Sequence, residues 1–105
     1  MELLRGTLDL LILKTVGRGP LHGYGIAAAI RTSSEELLNV REGVLYPTLR
    51  KLEARGSLRS EWGCSETGRE ARYYELTAQG RKELKAEERD WRQYVHAMQL
   101  ALGGA

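Results

Sequence analysis

The sequence has one cysteine, two prolines, no phenylalanine and a net charge of only +2 across 105 residues. Each scarcity removes a class of protein. The single thiol, Cys64, cannot close an internal disulfide, and with no second cysteine or nearby histidine it has no set of metal ligands. A reducing, cytoplasmic setting suits such a chain. Sixteen basic residues against fourteen acidic ones give no bulk positive field, so any claim of nucleic-acid binding must rest on where the cations stand. Long apolar runs are also missing. The stretch from Leu8 to Val16 contains Asp9 and Lys14, too short and too charged for a membrane span or signal peptide, and Met1-Glu2-Leu3-Leu4-Arg5 is no basic leader. The glycines form neither a P-loop nor a dinucleotide fingerprint. Ser33, Ser34, His22 and Asp9 stand on separate elements without a nucleophile motif, and His22 and His96 have no second ligand at metal spacing. No enzyme, metal, cofactor or membrane partner is expected.

What is present is one small globular domain, 29% charged and 42% hydrophobic, with an aliphatic apolar inventory. At 3.6 residues per turn, Thr7 to Val16 puts Leu8, Leu11, Ile12 and Val16 on one face and Leu3, Leu10 and Leu13 nearly opposite. A first helix apolar on two sides needs a second cover, either the C-terminal helix or another subunit. Gly17-Arg18-Gly19-Pro20 stops it. An Ala-rich second helix follows from His22 to Arg31, then a connector from Glu35 to Arg41 of open conformation.

A third helix is predicted from Gly43 to Arg55, with Leu45, Leu49 and Leu52 on its inner stripe and Gly56 as its stop. Pro47 is tolerable if it falls near the first turn, where amides have no intrahelical partner. The opposite face collects Pro47, Arg50, Lys51 and Ala54, two cations beside two small residues, flanked by Tyr46. The period then changes to two. Leu58, Ser60 and Trp62, and later Tyr74 and Leu76, read as a hairpin around a polar tip, with Arg69 at the tip, Arg72 at the base and Trp62 packed within it. Thr77 caps a last helix of about 25 residues, roughly 38 Å long, too long for the core to cover. Its stripe is Leu84, Trp91, Val95, Met98 and Leu102, and a partner subunit is the natural cover. Gly103-Gly104-Ala105 is read as a frayed end.

Helix, helix, helix, hairpin, long helix is the order of a winged helix-turn-helix, whose third helix enters the major groove while the hairpin lies along the backbone. His22-Gly23-Tyr24-Gly25-Ile26, Gly43-Val44-Leu45-Tyr46-Pro47-Thr48-Leu49 with Leu52-Glu53 and Gly56, and Tyr73-Tyr74-Glu75-Leu76-Thr77 with Gly80 resemble the PadR family of bacterial transcriptional regulators. The likeness runs in register from about Leu3 to Trp91. It implies a mainly α fold with a small β-hairpin: a winged helix-turn-helix over residues 1–76 and a C-terminal dimerisation helix over 77–105, as in the family's short members.

The resemblance further implies a homodimeric repressor of a pseudo-palindromic operator on double-stranded DNA, released by a small-molecule effector. The candidate DNA contacts are Tyr24, Gly43, Tyr46, Pro47, Arg50, Lys51, Arg69 and Arg72. For the tyrosines the alternative is a half-buried packing role with a wet tip; for the cations it is a solvated face. The candidate dimer contacts are Leu3, Leu10, Leu13, Leu84, Trp91, Val95, Met98 and Leu102. Some short family members hold flat aromatic drugs between paired tryptophans, which makes Trp91 an effector candidate beside its plainer role as a packing anchor. Arg41-Glu42-Gly43 opens the third helix without a Ser or Thr cap and places a carboxylate near the expected phosphates. The alternative function is a winged-helix protein–protein interaction module that touches no nucleic acid.

Overall fold

The structure, a computed structural model, describes residues 1, 3, 4 and 6–103. Glu2 and Arg5 of the opening segment, and Gly104 and Ala105 of the expected frayed end, lie outside the described residues. In chain order the elements are α1 (Thr7–Val16), β1 (Leu21–His22), α2 (Gly23–Ser33), α3 (Glu42–Ala54), β2 (Leu58–Cys64), β3 (Glu70–Leu76) and α4 (Ala78–Ala101). The predicted order is present with one addition. β1 pairs antiparallel with β3, Leu21 opposite Tyr74 and His22 opposite Tyr73, so the sheet runs β1-β3-β2. A strand of two residues has no period from which to be read.

Leu8, Ile12 and Val16 of α1, Ile26 and Ile30 of α2, and Leu45, Leu49 and Leu52 of α3 close on Leu58, Tyr74 and Leu76 of the hairpin. Each buried aliphatic side chain contributes about 1.5–3 kcal/mol relative to exposure. Leu13 corrects an expectation. Assigned to the dimer surface, it is fully buried within one chain as part of the core cluster on which Leu84 of α4 packs, and α4 runs beside α1 with the Lys14 ammonium 3.1 Å from Glu88. The cover for the second apolar face of α1 is thus found inside the chain at this level. Leu10 is half-buried, and Leu3 is partly buried against the core.

Helix α3 starts one residue earlier than predicted, and its N-cap, Arg41, makes no side-chain capping bond. Pro47 therefore lies in the second turn rather than the first. It has no amide to give the Gly43 carbonyl one turn back, and since both residues are exposed, water can take that carbonyl. The other end closes by the expected glycine. Gly56 has φ +87°, its N–H donates to the Glu53 carbonyl and the Ser57 N–H to the Leu52 carbonyl, the paired bonds of a Schellman motif.

Across the hairpin Leu58 faces Leu76, Ser60 faces Tyr74 and Trp62 faces Arg72, so one period-two face carries all six. That face is buried at Leu58, Tyr74 and Leu76 and leaves the body at Trp62, which is 65% exposed. Trp62 packs against Arg72 of the facing strand and not on the core, because the strands outrun it. Helix α4 starts as predicted, the Thr77 hydroxyl accepting the Gly80 N–H at 3.0 Å and donating to the Gly56 carbonyl at 2.5 Å. Leu84 still packs on the core, whereas Trp91, Met98 and Leu102 are exposed and Val95 is half-buried.

Candidate nucleic-acid interface

The burial of Leu45, Leu49 and Leu52 fixes the rotation of α3 and turns Gly43, Pro47, Arg50 and Ala54 outward. Arg50 is exposed and has no ion-pair partner among the described residues. Lys51 stands differently. Its ammonium lies 3.1 Å from Asp9 of α1, so the cation is held on the flank of α3 that faces α1. Such an exposed pair is weak, of order 0–1 kcal/mol, and a phosphate can compete for the lysine.

Beside this face stands the start of α2. His22 Nδ1 accepts the Gly25 N–H at 2.9 Å and caps the helix, a role beyond the loop or surface position expected for it. The ring of Tyr46 lies over Gly23, where a Cβ would come within 2.7 Å of the ring carbon Cε1; only glycine leaves that space. Tyr46 is thereby half-packed, 37% exposed, and Tyr24 points out at 73%. Together with the wing these residues border a groove of about 790 Å³, reaching from His22 and Tyr24 past Tyr46 to Trp62, Arg69 and Arg72.

Arg69 belongs to the exposed turn of the wing, where its carbonyl accepts the Ser65 N–H at 2.8 Å. Arg72 is engaged instead. Its Nε donates to Ser60 Oγ at 2.7 Å, Ser60 in turn donates to Glu53 of α3 at 2.7 Å, and the guanidinium lies 5.5 Å from the centre of the Trp62 ring. Burial, and next the charge of Glu53, push the Tyr74 hydroxyl above its usual range beneath this cluster.

A second charged cluster joins α1, α3 and α4, and sequence reading missed it. Arg55 pairs with Glu83 and lies 3.4 Å from Asp9, while Ser57 donates to Glu83 at 2.5 Å. Desolvation, then a hydrogen bond with the Glu83 carboxyl and the charges of Glu83 and Asp9, raise the Glu87 carboxyl to about 7, with Arg55 opposing. Burial also works against ionisation of Glu83, but hydrogen bonds from Ser57 and Glu87 together with Arg55 bring it below the usual range. These residues are scattered from position 9 to position 87, and no local pattern announces their meeting. Farther along α4, Trp91 and Tyr94 rings lie 6.2 Å apart on the open stripe.

A third helix whose outer face is free, flanked by a capped helix start on one side and a hairpin on the other, defines a winged helix-turn-helix. The transcriptional regulator PadR-like family matches residues 12–86, and the chain belongs to that family. It is therefore a DNA-binding transcriptional regulator rather than an enzyme. Among solved structures it is similar to a transcriptional regulator from Clostridium thermocellum, at 32% identity over 90% of this chain and 91% of that one, TM-score 0.81. It is similar also to a PadR family regulator from Clostridium difficile, at 30% identity over 93% and 100% of the chains, TM-score 0.81. A PadR family regulator from Eggerthella lenta gives 29% identity over 96% and 86%, TM-score 0.81. Among the described residues no helix is long and apolar enough to cross a membrane.

Proposed function

We propose that the protein acts as a homodimeric repressor of a pseudo-palindromic operator. Two copies join through the exposed stripe of α4 and present their α3 helices to major grooves about one DNA turn, 34–36 Å, apart. The outward face of α3 carries the reading: small at Gly43, Pro47 and Ala54, cationic at the exposed Arg50, with Lys51 exchanging Asp9 for a phosphate. Tyr24, Tyr46 and Arg69 add backbone contacts, and Arg72 supports the wing. A flat aromatic effector that stacks on Trp91 at the dimer centre releases the DNA by changing the distance between the two α3 helices.

The test is a gel shift on fragments selected from the host genome. Arg50→Ala with Lys51→Ala should abolish binding while the dimer persists in sedimentation, and each single variant, which still binds, should lower the salt slope by about 1. Unchanged affinity and slope would overturn the assignment in favour of a protein-interaction module. Repeating the shift with a planar aromatic dye tests release, which Trp91→Ala should remove.

A further inference from the structure

Trp62 sits where a purely structural residue would not. It follows Leu58 and Ser60 on the inner face of β2, but at its level the body has ended, and the indole lines the concave side of the wing at 65% exposure. Across the groove stand Tyr24, 73% exposed, and Tyr46. The indole is also held. Arg72 lies over the ring, and the bonds from Arg72 to Ser60 and from Ser60 to Glu53 tie the pair to α3, so the height of the indole relative to the reading helix is set before any partner arrives.

Charge does not mark this wall. Arg69 and Arg72 are balanced by Glu66 and Glu70 along it, so a site for phosphate alone is a poor fit. What the wall offers is an aromatic face beside a few donors, which matches the apolar side of a deoxyribose with its phosphates turned to the rims. Tyr46, on the flank of α3, borders the groove.

We propose that Trp62 is a DNA-backbone contact, its indole laid against the deoxyribose of one strand in the groove between the wing and the start of α2. The inference rests on the DNA-binding reading above and adds to it a contact independent of base sequence. A mixed-sequence duplex of about thirty base pairs is therefore a sufficient probe. In hydroxyl-radical labelling of the wild-type protein read by mass spectrometry, saturating duplex should reduce modification of Trp62 several-fold and leave Trp91 unchanged. Trp62→Ala should bind the duplex about fivefold more weakly with the same salt slope, since no cation is lost. Arg50→Ala should lower the slope. Trp62 labelled equally with and without bound duplex, or Trp62→Ala binding as wild type, overturns the inference while the wild type's salt-sensitive binding keeps the wider reading. A wild type with no salt-sensitive binding removes both. The labelling uses the unaltered chain, so it decides even if the variant fails to fold.

Discussion

A methyl group added at Gly80 would overlap the Ser57 carbonyl and meet Leu76 at 3.0 Å, because α4 begins pressed against the turn between α3 and β2. Alanine normally favours a helix over glycine by about 1 kcal/mol, but backbone overlap of this kind costs about 1–3 kcal/mol or more. Gly80→Ala should therefore destabilise the protein in urea unfolding. Gly43 is the contrasting case: nothing lies within 4 Å of the Cβ it lacks. Gly43→Ala should be neutral or stabilising by up to about 1 kcal/mol, yet weaken DNA binding if α3 approaches the duplex there. Both glycines stand out in the string of letters as helix residues. Only the neighbours distinguish a glycine kept for folding from one available for contact.

At the scale of elements, the cluster between α1, α3 and α4 makes stability depend on pH. The folded protein holds the Glu87 proton up to about 7, whereas the unfolded chain releases it in the ordinary glutamate range. The folded state therefore binds more protons over that window, and the contribution of Glu87 is lost as pH rises toward and through 7. Glu83 has the opposite sign. Its folded value is lowered, so its contribution is present above the ordinary range and lost in acid. Melting temperature should thus fall between about pH 5 and 8, and Glu87→Gln, which keeps a donor for Glu83, should flatten that fall. Legibility at this scale was uneven. The ten residues of α1 and the Thr77 cap follow from apolar period and side-chain chemistry, which are local. β1 was not legible, and neither was the pairing of Lys51 with Asp9, 42 residues away, because each exists only once distant segments meet.

For the whole molecule, α4 decides the shape. At 1.5 Å per residue it spans about 36 Å, and the longest dimension of the chain is 52 Å against 29 and 22 Å for the others. Past Glu88 its apolar stripe leaves Trp91, Met98 and Leu102 exposed, Leu102 at 77%. Val95→Glu or Leu102→Glu should place a charge in the proposed seam and yield monomers in sedimentation, with DNA affinity reduced because two half-sites are no longer engaged together. A persistent dimer would remove α4 as the seam.

Sequence alone determined the order of the four helices and the hairpin and the inner stripe of each helix, since these follow from periodicity, caps and turn residues within a few positions of one another. Tertiary structure decided the rest. It turned Leu13 inward, carried Trp62 beyond the core, and bound Lys51 and Arg72 to partners while leaving Arg50 open. The physical reason is the same throughout: whether a side chain is buried, paired or free depends on surfaces contributed by segments far away in the chain, and only packing brings those together.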